Sequence, residues 1–425
     1  MNSDLRKDLV GGVTTFLTMA YIVVVNPSIL STAGTGMSFS GVLTATVLVA
    51  FSMTLLMGLY AKLPFGVAPG MGINAFFTFS LVLGHQIPWP TALGMIFWAG
   101  VLFVVTSVTP VRVAIARAIP HSLRVAAATG IGLFLTFIGL KNAGFVVADP
   151  ATFVKLGHFT PGVWLAIVGF GVIVFLLKRK SPFAFLAGIA VATLGGWALG
   201  LVKAPEEWVA KPDFSSTFFK LDILGALKFA YLPAILAIFF TDLFDSLSTF
   251  IGVSQATGLV DEKGDPVRLK EGLLVDAFAT LGAGLFGTSS GTAFIESAAG
   301  IEAGGRSGRA AVVTALCFLP CFFIGPLVGV VPAFATAPVL VVVGALMFQG
   351  VSSLKIAALE DAIPVFLTII LIPLTFSITQ GILWGFISHV ALYAAFGRAK
   401  EVPPTMWAIG AVSAGLVALE QYSGF

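Results

Sequence analysis

Apolar residues in this chain come in long uninterrupted runs, not in the alternating or 3.6-residue stripes of a fold with one wet face. The runs fall at roughly 9–25, 38–60, 65–84, 91–109, 122–140, 162–177 and 182–202. A second set falls at roughly 228–253, 271–286, 288–301, 308–331, 338–350, 362–378 and 380–396. Most approach the ~20 residues that cross a bilayer core. The pattern therefore predicts an all-α polytopic membrane protein with 14 transmembrane segments. The runs at 65–84, 288–301 and 338–350 are short or broken by Gly, Pro and Ser. A further run at 405–421 has three readings: a crossing, a surface helix or a packed terminal helix.

Composition agrees with that pattern. Charged residues are 10% of the chain and apolar ones 58%, against the ~25% charge of a soluble domain. The net charge of +3 carries less information than where the basic residues lie. With a cytoplasmic N-terminus, 17 of the 23 Lys and Arg fall on the cytoplasmic side, Arg112, Arg117, Lys263 and Lys355 among them. That bias supports both the span count and the orientation. No cleavable signal peptide is expected, because the first apolar run leads into "NPS" without a small-residue cleavage site. Cys317 and Cys321, in "ALCFLPCFFIG", match no metal pattern and read as packing residues.

The two sets of seven echo one another. "FGVAPGMGINAFF" (65–77) opens segment three and "FGTSSGTAFIES" (286–297) opens segment ten. Phe65-Gly66 aligns with Phe286-Gly287, and Gly70 with Gly291. Because seven is odd, the second copy enters the membrane from the opposite side, which makes an inverted repeat. A matched pair of interrupted segments is the sequence pointer to a transporter's midplane site.

Ionisable residues within the spans are few, so each is a candidate. "LAIFFTDLFDSLSTF" in segment eight carries Asp242 and Asp245, three apart and hence on one helix face, with Ser246 and Thr249 nearby. Carboxylates at membrane depth suit a proton relay; the competing reading is a bond to a neighbouring helix. Glu296 follows "GTSSGTAFI", whose small residues allow unwound backbone, tolerated at this depth where it lines a cavity or is buried in protein. The helix starting there would present free N–H groups, and Ser289, Ser290 and Thr292 further hydrogen-bonding groups. Glu296 would then meet a ligand's N–H groups, or only stabilise its own helix. Asn74 stands near the corresponding position of the first repeat and offers donor and acceptor. Phe294 is placed to stack on a flat ligand or to pack in the core. Asp276 reads as a packing or helix-bonding residue, Glu302, Arg306 and Arg309 as an interfacial cluster, and His389 as structural.

Four stretches carry a resemblance: "GGVTTFLTMAYIVVVNPSIL" (11–30), "APGMGINAFF" (68–77), "TDLFDSLSTFIG" (241–252) and "GTSSGTAFIESAAGIEAGGRSG" (287–308). In this order they resemble the AzgA-like purine permeases, of the nucleobase–cation symporter family that also contains the uracil permease UraA. The resemblance implies two inverted repeats of seven, with short strands in segments 3 and 10. It implies a core domain from 1–121 and 211–335, and a gate domain from 122–210 and 336–425. The base would lie between the strands and segment eight. By motif, Glu296, Asp242, Asn74, Phe294, Thr292 and Ser290 would bind substrate, and Asp245 with Asp242 would handle the proton. Relatives outside the AzgA-like group carry a glutamate where this chain has Thr241, so the pattern does not divide the work between the two aspartates.

These readings predict a multi-pass protein of the cell (inner) membrane importing adenine, guanine or hypoxanthine by proton symport. The expected partners are a purine nucleobase, a proton, the lipid bilayer and a second copy in a homodimer. No cofactor, metal or nucleic acid is expected. A xanthine, uracil or anion carrier of the same fold is the alternative, though three acids without a base disfavour an anion. A channel would need a continuous polar pore. An embedded enzyme would need a nucleophile or cofactor motif beside its acids.

Overall fold

The computed structural model describes residues 3–109, 118–262, 264–354, 356 and 358–423. Arg112, Arg117, Lys263 and Lys355 lie outside the described residues. The chain runs α1 (Ser3–Met19), α2 (Ile22–Leu30), α3 (Phe39–Leu56), β1 (Val67–Pro69), α4 (Met71–Ala75), α5 (Trp89–Val108) and α6 (His121–Ala143). A hairpin of β2 (Val146–Asp149) and β3 (Phe153–Leu156) leads to α7 (Pro161–Lys178) and α8 (Ala184–Ala198). Next come α9 (Leu232–Thr257), α10 (Leu269–Phe286), β4 (Gly291–Ala293), α11 (Ser297–Glu302), α12 (Gly308–Phe318) and α13 (Gly325–Gly329). The chain closes with α14 (Ala333–Phe348), α15 (Leu359–Thr375), α16 (Ile378–Ala395) and α17 (Pro404–Ser423).

Local chemistry sets several of these boundaries. Ser38, Thr160 and Ser377 each accept a backbone N–H in the first turn of α3, α7 and α16, satisfying a donor that the helix itself leaves free. Eight helices among the described residues are long and apolar enough to cross a membrane, including Asp4–Leu30, Phe39–Ala61 and Phe229–Thr257. Shorter or less apolar helices occupy the remaining predicted runs. Trp164, Phe170 and Phe175 stand exposed on α7, a surface that only lipid or another apolar partner covers favourably.

The helices pack in two sets. In one, α1 and α3 lie against α12, and α5 lies against α10 and α9. In the other, α6 packs on α14 and α15, α7 on α8 and α14, and α15 on α16. Contacts such as α9 with α16 join them.

The run at 288–301 divides, as the resemblance implies, into a short strand, β4, and the six-residue α11. Two sequence readings change in detail. The run at 338–350 is the latter part of a full helix, α14, which contains Pro338. The FG alignment would set β1 against 288–290, but the second strand begins three residues later, at Gly291. The Thr288-Ser289-Ser290 turn inserted after α10 accounts for the slip. Beyond the two expected strands, β2 and β3 form an exposed hairpin held by a Lys155–Asp149 pair at 2.7 Å. β3 is exposed along its length while β2 is mostly half-buried, so neither strand shows the buried/exposed alternation that would announce it.

Candidate functional site

Strands β1 and β4 pair antiparallel, with Val67 opposite Ala293, Ala68 opposite Thr292 and Pro69 opposite Gly291. A two-stranded sheet buried in a membrane protein has two outer edges with unmet backbone groups, and no water to meet them. Side chains do it here. Thr54 of α3 accepts from Val67 N at 2.8 Å and donates to Val67 O at 2.9 Å. On the other edge, Asp276 of α10 accepts from Ala293 N at 3.0 Å, and Thr280 donates to Gly291 O at 3.1 Å. The close approach of α10 depends on Gly291, since a Cβ there would stand 2.7 Å from Ala279 Cβ.

Glu296 is the N-cap residue of α11, yet its side chain makes no capping bond. Its Oε1 accepts from the Tyr21 hydroxyl at 2.6 Å, and its carbonyl accepts from Thr18 at 3.3 Å. Tyr21 reaches it because the first span is interrupted at Ala20 and Tyr21, between α1 and α2. The Phe294 ring lies 6.4 Å from the Tyr21 ring and is buried.

Helix α9 brings its two aspartates to the same region. Asp242 is buried and bonded to the Thr280 hydroxyl. Asp245 is half-buried and within electrostatic reach of Glu296 and Tyr21. Ser246, one residue on, sits 3.3 Å from the Thr292 hydroxyl of β4. The structure thus gathers Asp242, Asp245, Asp276 and Glu296 around β4, one acid more than the three placed there from sequence. Thr249 is buried on the same helix.

A second polar group is neutral. Asn26 of α2 donates to Thr46 at 2.7 Å and to Thr288 at 2.8 Å, and accepts from Asn74 of α4 at 3.0 Å. Asn74 is therefore inside its half-helix while Glu296 precedes its own; the two do not occupy equivalent positions.

Six of the eleven described buried side-chain atoms without a partner lie in these elements: Asn74 Oδ1, Thr241 Oγ1, Asp242 Oδ1, Asp276 Oδ1, Ser289 Oγ and Ser290 Oγ. Leaving such an atom unmet costs about 1–3 kcal/mol, so their concentration marks the place where a polar ligand would be most strongly held. An apolar cavity of ≈ 180 Å³ among α6, α7 and α14, lined by Leu140, Val163 and Ala337, offers no such atoms.

Sequence reading missed Tyr21, Thr18, Asn26 and Thr280. Tyr21 and Asn26 stand in the quoted stretch 11–30, but a hydroxyl or amide beside apolar neighbours carries no spacing that marks it. Several of the other residues singled out have structural partners. Glu302 pairs with Lys180 at 3.5 Å and Arg306 donates to Thr257 O at 2.6 Å, each tying to another element. His389 is buried with its ring 4.4 Å from that of Tyr393. Cys317 and Cys321 are free thiols.

Eight apolar helices and a polar centre enclosed among them define a multi-pass membrane protein. The permease family model Xan_ur_permease matches residues 6–384, and the chain belongs to that family. The chain is 42% identical over 400 residues to the adenine permease AdeP of Escherichia coli, covering 94% of this chain and 89% of that protein. It is 39% identical over 411 residues to the guanine/hypoxanthine permease PbuO of Bacillus subtilis, covering 95% and 94%. Among solved structures, the transmembrane domain of the cyanobacterial bicarbonate transporter BicA matches with a TM-score of 0.67 at 17% identity, covering 91% of this chain and 98% of that one. That likeness is one of fold.

Proposed function

We propose that the chain is a proton-coupled importer of purine nucleobases. The observation that carries this reading is the cluster of unmet polar atoms on α4, α9, α10 and the turn before β4, beside Glu296. A neutral purine has a flat apolar body with N–H donors and ring-nitrogen acceptors on its edge. Glu296 and Asp242 would pair with its donors, Asn74, Ser290 and Thr292 with other edge atoms, and Phe294 with a ring face. The names of AdeP and PbuO support adenine, guanine and hypoxanthine as the class to test. The likeness to BicA supports the scaffold and says nothing of the cargo.

Proton symport draws support from the acids. Thr280 has one proton and two acceptors in reach, Asp242 and Gly291 O. It donates to Asp242 when that carboxylate is charged, and can accept from it and turn to Gly291 when it is protonated. Asp242 therefore has a partner in either state. Asp245, within electrostatic reach of Glu296, is the second proton-handling group in this reading.

We read the fourteen runs as fourteen crossings in two inverted repeats, with a cytoplasmic N-terminus in the cell membrane. In this reading a core (1–121 and 211–335) moves against a gate (122–210 and 336–425), which the division of the helices into two packing sets supports, and a homodimer through the gate would cover the apolar face of α7. Alternating access would be that movement around the bound base.

The test is uptake of labelled adenine, guanine, hypoxanthine, xanthine and uracil in cells lacking their own permeases, with and without a proton uncoupler. Purine uptake abolished by the uncoupler is expected. Uptake of none of these bases despite membrane expression refutes the function; sodium-dependent, uncoupler-insensitive uptake refutes the coupling alone.

A further inference from the structure

We propose that Asn26 is a positioning residue: it fixes the Asn74 amide so that the site offers a carbonyl oxygen, not an NH2, to its ligand. The inference rests on the reading of this region as a base site, and follows from counting protons. The Thr46 hydroxyl has one proton, and donates it to Val42 O at 2.7 Å within α3. Toward Asn26, Thr46 Oγ1 can only accept. The Asn26 atom 2.7 Å from it is therefore the NH2, which also reaches Thr288 Oγ1 at 2.8 Å. Both amide hydrogens are then committed.

The remaining Asn26 atom, Oδ1, meets the Asn74 amide at 3.0 Å. Two carbonyl oxygens cannot bond, so Asn74 turns its NH2 toward Asn26. Asn74 Oδ1 is left without a partner in a residue that is fully buried. Asn26, Thr46 and Thr288 are fully buried too, so no solvent relaxes the arrangement. A chain of bonds from a backbone carbonyl of α3 thus sets the polarity of one side of the site. The ligand edge that meets Asn74 carries an N–H donor, in a ring or an amino group, and an edge carrying a carbonyl there is repelled.

The test uses purified full-length protein, with equilibrium binding of labelled adenine and hypoxanthine and their uptake in proteoliposomes. Asn26→Ala is expected to weaken Kd about tenfold, the scale of one hydrogen bond lost from a buried site, with the saturated rate changed less than about twofold. Thr46→Val keeps the side-chain shape and removes the acceptor that orients Asn26, together with the hydroxyl's own bond to Val42 O in α3; it shifts Kd in the same direction. In an Asn74→Ala background either change should move Kd less than about twofold, because the group it acts through is gone. Wild-type affinity in both Asn26→Ala and Thr46→Val overturns the proposal. So does an equal loss with and without Asn74, which is what a merely structural role would give. Wild-type protein that binds neither base refutes the site reading itself, a different result from a bound base that ignores Asn26.

Discussion

The two strands at the centre of the molecule are covered along their outer edges by different chemistry. Beside β1 stands a single neutral hydroxyl, Thr54, serving both groups of Val67. Beside β4 stand Asp276 and Thr280, with Asp242 bonded to the latter. The half-helices differ in the same sense: Gly70 precedes α4 and Asn74 lies within it, whereas Glu296 precedes α11. The backbone problem is the same on both sides, and neutral groups suffice to solve it. The acids around β4 therefore exceed what the fold requires, and that excess is the basis for placing proton and substrate chemistry there.

The largest test of this asymmetry removes the carboxylate that makes no structural bond to its own helix. Glu296→Ala should reduce purine uptake by roughly 100-fold, since a hydrogen bond to a charged group contributes about 1.5–3 kcal/mol. Asn74→Ala, on the neutral side, should cost about tenfold by the same measure. Uptake assays at matched surface expression compare the two. Equal losses would mean that the two halves contribute alike and that the excess of acid has another purpose.

Asp242→Asn comes next. It keeps the size of the side chain and an acceptor for Thr280 but cannot take up and release a proton. Uptake driven by an imposed proton gradient should fall at least about tenfold, while exchange of labelled for unlabelled base across the same vesicles persists. Gradient-driven uptake at the wild-type rate would remove Asp242 from the coupling path.

How far this asymmetry was legible in the sequence depends on what marks a residue. Glu296, Asp242 and Asp245 stood out because a charge in an apolar run is rare. The two breaks stood out because Gly, Pro and Ser interrupt a helix. Tyr21, Asn26, Thr54 and Thr280 did not, because Tyr, Asn and Thr occur throughout these spans and only tertiary contact separates a partner from a bystander. The FG alignment runs three residues out of step with the two strands for a related reason. Small residues permit an extended backbone anywhere between Gly287 and Ala293, and the start at Gly291 is chosen by α10, which approaches too closely for any other residue there.

Thr54→Val tests the neutral edge. It leaves both Val67 N and Val67 O buried without partners, at about 1–3 kcal/mol each. Thermal unfolding in detergent should show the loss, and purine affinity in the surviving folded fraction should stay near wild type. A variant as stable as the parent would mean that the edge of β1 finds other partners.

Asp276 decides whether the fourth acid belongs to the fold or to the chemistry, and its effects should be the smallest. Its Oδ2 accepts from Ala293 N, so by position it is the counterpart of Thr54. An amide oxygen can accept the same bond, and Asp276→Asn should cost less than about 1 kcal/mol and leave gradient-driven uptake within about threefold of wild type. Asp276→Leu removes the acceptor and should cost about 1–3 kcal/mol, in line with Thr54→Val. If Asp276→Asn is instead well folded and uncoupled, the acid on the edge of β4 carries protons as well as backbone. The boundary between scaffold and site would then lie beyond Asp276, and not between it and Asp242.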